Sequence, residues 1–207
     1  MSGRAQEIYE SITKNKEANW QGMAMVGMLA DFTLHFASGV IIEIGMGESS
    51  VYLNMVGAKY DRQAFHCDIQ GHGFEEALNV PGYFREDKSK CVIYIGSSDS
   101  FFQSVDIPPV AFAFIDGDHR YDQVKKDFFS INNLLQDNGM ILMHDTYPPD
   151  DDYLPENLCG SSYKFRQELE KDNRFDVFTF PLSAAKGVGL TMCRRRGLNL
   201  PFYQQGG

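Results

Sequence analysis

Acidic side chains and histidines in this chain fall just where short apolar runs stop. Glu43 sits near the end of VIIEI, and Asp68 closes QAFHCD. Gly96-Ser97-Ser98-Asp99 follows CVIYI, Asp116-Gly117-Asp118-His119 follows AFAFI, and His144-Asp145 follows MILM. Each run has the length and the β-branched or aromatic content of a strand. If these strands lie parallel, all five ends point to one edge of one sheet. Carboxylates gathered on such a rim repel one another and lose hydration. They call for a compensating donor or cation: ribose hydroxyls, an amino group or a divalent metal. The histidines add a proton acceptor or a nitrogen ligand.

The element that anchors this rim is residues 40–53, VIIEIGMGESSVYL. It reads as a buried strand, a tight turn and the start of a helix. Gly45 and Gly47 let the backbone turn sharply and approach a ligand. Glu43 takes the place where open α/β sheets bind their ligands. Asp68, at the end of the second strand, suits a bidentate hydrogen bond to ribose hydroxyls. The dinucleotide pattern GxGxxG fails here, because its third glycine falls on Ser50. A carboxylate at position 43 would also face a pyrophosphate badly. The pattern therefore favours a nucleoside ligand without phosphates, carrying hydroxyls or a cationic group such as a sulfonium amino acid. It disfavours a NAD-linked oxidoreductase.

Around these strands the spacing predicts helices. Residues 1–36 read as helical, with Trp20, Met23, Met25 and Met28 covering one sheet face or capping a pocket. A helix from Ser49 or Ser50 runs to about residue 58. Gly71-His72-Gly73 is a loop, and a helix from Phe74 stops near Pro81-Gly82. Residues 101–105 form a short helix. Val124, Phe128, Ile131 and Leu135 mark a helix over 121–135, which Asn138-Gly139 terminates before a strand at 140–143. A loop at 146–160 carries Tyr147, Asp150-Asp151-Asp152 and Tyr153. A helix covers 161–171. Strands at 175–180 and 188–193, joined through residues 184–187, form an antiparallel pair. Arg194-Arg195-Arg196 reads as a solvated strand edge. Strands alternating with helices imply a mostly parallel sheet with helices on both faces.

Composition limits the classes. The 207 residues suit one domain, with 43% hydrophobic and 23% charged residues. A formal charge of −9 argues against nucleic acid as a partner. No apolar run reaches membrane-spanning length, and the first residues do not read as a signal peptide. Cys67, Cys91, Cys159 and Cys193 show no zinc spacing and read as buried reduced thiols of a cytoplasmic protein.

EIGMG, HCD, IGSSD, FIDGDH and GMILMHD together resemble the class I S-adenosylmethionine-dependent methyltransferases. The nearest branch holds the small-molecule O-methyltransferases of the catechol, caffeoyl-coenzyme A and macrolide-sugar type. The motifs span about residues 38–146, and the strand order extends the likeness to about 193. The resemblance implies one α/β domain over 1–207, with an N-terminal helical cap at 1–36 and a Rossmann-like core at 38–193. That core is a seven-stranded sheet, mostly parallel, with an antiparallel C-terminal strand. It implies S-adenosylmethionine as cofactor: Glu43, Gly45, Gly47 and Ser49 against its methionine part, Asp68 on the ribose, Ile69 on the adenine face, Ser97, Ser98 and Asp99 at the adenine edge, and Asp116 also in contact. It further implies a divalent metal, magnesium or manganese, on Asp116, His144 and Asp145.

Two residues depart from the family pattern. Ser49 stands where a glycine is usual, and His144 replaces the first acid of the pair after the fifth strand. Magnesium prefers oxygen ligands, whereas histidine favours manganese, iron, cobalt, nickel or zinc. Either the site takes a softer metal, or it takes none and His144 is a base. Asp118 is the leading base, followed by His119 and His144. The expected partner is a small hydroxylated methyl acceptor; a homodimer would fit the apolar N-terminal stretch. The competing reading is a cofactor-binding protein without methyl transfer.

Overall fold

Strand sequences such as VIIEI and VAFAFI carry apolar side chains at consecutive positions, so both faces need cover. The computed structural model, which describes residues 19–70, 90–181 and 188–197, provides it. Its elements are α1 (Asn19–Phe36), β1 (Val40–Ile44), α2 (Glu48–Lys59), β2 (Ala64–Asp68), β3 (Cys91–Ile95), α3 (Ser98–Ser104), β4 (Val110–Ile115), α4 (Tyr121–Leu134), β5 (Leu135–His144), a short 3₁₀ turn at Asp151–Tyr153, α5 (Ser162–Leu169), β6 (Phe175–Phe180) and β7 (Leu190–Arg195). The strands form one seven-stranded sheet in the order β3-β2-β1-β4-β5-β7-β6. All pairings are parallel except those of β7, which runs antiparallel to both β5 and β6.

Alternation along each strand divides the core in two. Ile42, Ile44, Ala113 and Ile115 face Phe101 of α3, Phe128 and Ile131 of α4 and Phe165 of α5. Ile41, Phe112 and Phe114 face Val26, Ala30 and Leu34 of α1 and Leu53 of α2. Phe128 packs edge-on against Phe129, Phe165 and Phe175, with ring centroids 5.2 to 5.4 Å apart, a geometry that adds to simple area burial. Helix α1 thus covers a sheet face. The expected helix at 1–18, the loop at His72, the helix from Phe74 to Pro81-Gly82 and the 184–187 connection lie outside the described residues.

Two expectations are corrected. Asn138-Gly139 does not end a helix. Helix α4 stops at Leu134, and Leu135 already has extended geometry. Leu135 pairs with Val110 and Met140 with Phe112, so residues 136–139 bulge out of β5. A Cβ on Gly139 would lie 2.8 Å from Leu135 Cδ1 and 3.0 Å from the Ala111 carbonyl oxygen, so glycine serves the bulge. Nor do the terminal arginines mark a sheet edge. β7 lies between β5 and β6, Arg194 and Arg196 pair with Asp176, and Arg195 donates to the Leu135 carbonyl.

Strand order reverses at β1, where the chain goes to β2 and β3 on one side and to β4 and β5 on the other. That switch point opens a crevice at the carboxyl ends of the strands. Gly45 permits the close approach there. Its φ is +88°, and a Cβ would sit 2.1 Å from the Asp116 carbonyl oxygen.

Candidate active site

A cleft of about 410 Å³ occupies this crevice. Gly45 and Met46 after β1, Asp68 and Ile69 after β2, and Ser97 and Ser98 after β3 form part of its lining. Asp68 Oδ2 accepts from the Met46 N–H at 3.0 Å and Oδ1 from the Gln70 N–H at 2.7 Å. These bonds fix the orientation of the carboxylate at the end of β2. Ile69 is 71% exposed at the mouth, an apolar surface open to a flat group. Ser97 Oγ caps α3 through the Ser100 N–H. Asp99, expected at the cleft edge, pairs with Lys126 at 2.5 Å and is not among the lining residues.

Glu43, expected against the ligand, lies beneath the glycine turn. It is fully buried, and neither it, Gly47 nor Ser49 appears among the lining residues. Its carboxylate accepts from Ser49 Oγ, from Ser50 Oγ at 2.6 Å and from His66 Nδ1 at 2.5 Å, while His66 Nε2 meets Asn54 Oδ1 at 3.2 Å. Burial works against a charged His66, but Cys91 and Glu43 outweigh it and push the imidazole up to about 9. Glu43 therefore ties the glycine turn and the start of α2 to β2 from beneath. The serine at 49, where the family has glycine, is one of its donors.

The acid–histidine rim lies beside the cleft, on β4 and β5. His144 Nδ1 is 3.0 Å from Asp116 Oδ1 and 3.1 Å from Asp145 Oδ1. One potential ligand atom from each of Asp116, His144 and Asp145 lies within 4.8 Å of the others. His119 adds a fourth group, with Nε2 3.2 Å from Asp145 Oδ2 and 3.5 Å from Asp116 Oδ1. Its Nδ1 bonds the Leu158 carbonyl, and its Nε2 is buried without a hydrogen-bond partner. A carbonyl only accepts, so Nδ1 carries the proton.

Burial disfavours charge on Asp116, His119 and His144, but attraction between opposite charges prevails. His144 and His119 hold Asp116 well below the usual carboxylate range. Asp116 and Asp145 push His144 up to about 10, and they also raise His119. Two carboxylates and His144 Nδ1 form a mixed oxygen–nitrogen donor set that fits a divalent transition ion, with the unpartnered His119 Nε2 beside it. Asp145 has φ +56°, a conformation uncommon for a non-glycine residue and shared here by Asp61. Ser162 Oγ holds Asp145 by donating to its carbonyl, and the neighbouring Ser161 N–H bonds the His119 carbonyl at 2.9 Å. At the other end of the same loop, the Tyr147 N–H bonds the Val188 carbonyl at 2.7 Å.

Asp118 lines the cleft but stands apart from this rim. Its Oδ1 accepts from the Arg120 N–H and Nε–H at 2.9 Å, and the guanidinium also engages Oδ2. Hydrogen bonding to Arg120 lowers its pKa, so the side chain expected to lead as base is engaged by that guanidinium. Three cleft residues were absent from the sequence reading: Arg120 at the start of α4, and Gln123 and Asp127 within it. Their helical spacing offered only the ordinary look of polar positions. Tyr147 is 44% exposed, with Arg166 over its ring at 5.0 Å. Asp150, Asp151 and Asp152 are exposed, and Asp150 Oδ1 caps the 3₁₀ turn. All four cysteines are free thiols; Cys91 is half-buried and the others are buried. Among the described residues no helix is long and apolar enough to cross a membrane.

A family model described as a methyltransferase domain matches residues 42–146. Solved structures share the fold at low identity. Cofactor-bound Rv0187 from MTB is 14% identical with a TM-score of 0.68, over 88% of this chain and 83% of that one. The O-methyltransferase TomG of Streptomyces achromogenes, in complex with SAM, is 16% identical with a TM-score of 0.64, over 86% and 80%. An O-methyltransferase from Bacillus cereus, in complex with SAH, is 13% identical with a TM-score of 0.63, over 95% and 92%. No curated protein matches the chain in sequence.

Proposed function

The chain belongs to the methyltransferase-domain family, and from that premise we propose that it transfers a methyl group from S-adenosylmethionine to a hydroxyl of a small molecule, assisted by a divalent metal. The observation that carries this reading is one juxtaposition. A cleft holding Asp68 borders a rim where Asp116, His144 and Asp145 converge and His119 Nε2 has no partner. The two solved O-methyltransferases named above support the cofactor and the reaction class.

In this reading Asp68 accepts from the ribose hydroxyls, and Ile69, Ser97 and Ser98 border the adenine. Gly45 and Met46 present backbone to the methionine part, over a turn that Glu43 holds from beneath. S-adenosylmethionine supplies an electrophilic methyl on a sulfonium, so the acceptor oxygen must be held in line with it. Asp116, His144 and Asp145 would hold the metal, which when bound lowers the pKa of a coordinated hydroxyl. His119 Nε2 accepts the proton that the acceptor oxygen loses as its new bond to carbon forms. The Leu158 carbonyl keeps the ring in the tautomer this requires.

The test is calorimetric titration of S-adenosylhomocysteine into wild type and Asp68→Ala, with and without manganese or magnesium. Binding to wild type that is lost in Asp68→Ala is the expected result. No binding to wild type under any condition would overturn the cofactor assignment.

A further inference from the structure

Helix α1 is apolar on two opposite faces. Val26, Ala30 and Leu34 point into the core and are buried. Met28, Phe32 and Phe36 are 64%, 59% and 61% exposed. Their spacing of four residues sets them in one ridge on the side away from the sheet. Phe32 and Phe36 meet edge to face, with ring centroids 5.2 Å apart. The helix contains neither lysine nor arginine, and its single acid, Asp31, is paired with Lys59 at 2.5 Å. A helix that is apolar on both faces is built to be buried on both. Among the described residues nothing covers the outer one.

The chemistry of the ridge selects its occupant. A lipid surface calls for lysines and arginines beside the apolar stripe, and α1 has none. The chain's formal charge of −9 also opposes an anionic partner such as lipid or nucleic acid. A second copy of this chain suits the ridge, because the ridge is self-complementary. A two-fold axis near Phe32 sets the i, i+4, i+8 ridge of one protomer into the groove beside the same ridge of its partner. The like net charges of two copies are screened by salt beyond about 10 Å, and the Asp31–Lys59 pair leaves the flank of the ridge locally neutral. Size agrees as well. At about 150–250 Å² for a large side chain, three residues exposed by three-fifths present about 300–450 Å² of apolar surface. That is near half of the roughly 800 Å² each partner gives to a stable interface, in keeping with an apolar core inside a polar rim. We infer that the outer face of α1 is the contact surface of a homodimer, centred on Phe32.

The test is the mass of the full chain in solution, by light scattering and sedimentation at about 50 μM, where an interface of this size is populated. Wild type is expected at twice the 23.4 kDa of one chain. Phe32→Glu and Phe32→Lys should each run as monomers with the circular dichroism spectrum of wild type, since the side chain they replace lies outside the core. Mixed in equal amounts, the two variants should pair again, because a two-fold contact brings the opposite charges together. A monomeric wild type, a dimer that survives both charges, or a mixture that stays monomeric would overturn the inference. If the Phe32 variants do not fold, Met28→Glu and Met28→Lys carry the loss of the dimer as the readout, and a dimer that persists in both overturns it.

Discussion

His119 is bonded through Nδ1 to the Leu158 carbonyl, and its Nε2 faces Asp145 at 3.2 Å. A residue three positions past the metal-type Asp116 is thus held by the loop before α5. The bond sets both ring orientation and tautomer. His119→Gln is expected to lower the methyl-transfer rate by about 10²- to 10⁴-fold, the usual contribution of a positioned base. Affinity for S-adenosylhomocysteine should stay near wild type. Transfer of a labelled methyl group, alongside calorimetry, separates the two effects.

The Asp116, His144 and Asp145 donor set predicts metal binding that can be read without turnover. Manganese titration followed by electron paramagnetic resonance should show a site weakened at least about tenfold in His144→Ala and in Asp145→Asn. Equal manganese binding by wild type and both variants would remove the metal from the site.

Glu43 and His66 form a fully buried pair. Removing one partner leaves the other charge without its counterpart, so Glu43→Ala should destabilise the protein by about 3 to 5 kcal/mol. The pair also predicts a pH dependence. His66 is raised from 6.5 to about 9 in the folded state, so the folded protein holds the proton more tightly than the unfolded chain. That stabilisation is complete below pH 6.5 and is lost as pH rises through about 9. Thermal melts across this window should show a falling midpoint for wild type and a flatter profile for His66→Gln.

Gly45→Ala places a methyl group 2.1 Å from the Asp116 carbonyl oxygen, on a residue with φ +88°. The clash and the strained backbone should together cost about 2 to 4 kcal/mol. Since Asp116 must shift to make room, manganese affinity should fall with stability. A variant that melts like wild type and binds metal equally would contradict this.

Phe128 is fully buried among three other phenylalanine rings. Phe128→Ala should cost about 3 to 5 kcal/mol in urea unfolding, with little change in cofactor affinity per folded molecule.

The parallel strands were legible because interior strands must be apolar on both faces, and the acids after them were legible as a rim. Spacing did not reveal which acids face outward. Glu43 has the position of a ligand contact, but Ser49, Ser50 and His66 turn it into a brace, and those partners come from two separate segments of the fold, the start of α2 and β2. Asp118 looked like a base because its local partner, Arg120, is invisible until the turn is drawn. Asp127 carried no signal, since a polar residue in mid-helix is ordinary until the sheet behind it is known. The start of β5 was misread for a related reason: Asn138-Gly139 is common turn chemistry, and a bulge uses the same residues as a helix stop.

The stretch between Asp145 and Ser162 is fastened at both ends. Tyr147 is tied to Val188, Ser161 to the His119 carbonyl, and Ser162 to the Asp145 carbonyl. Because those ties hold the two ends, a change of length or sequence over residues 148–157 is expected to leave the rim in register. The span is thus mechanically uncoupled from the residues it connects, as a bridge deck is from its abutments.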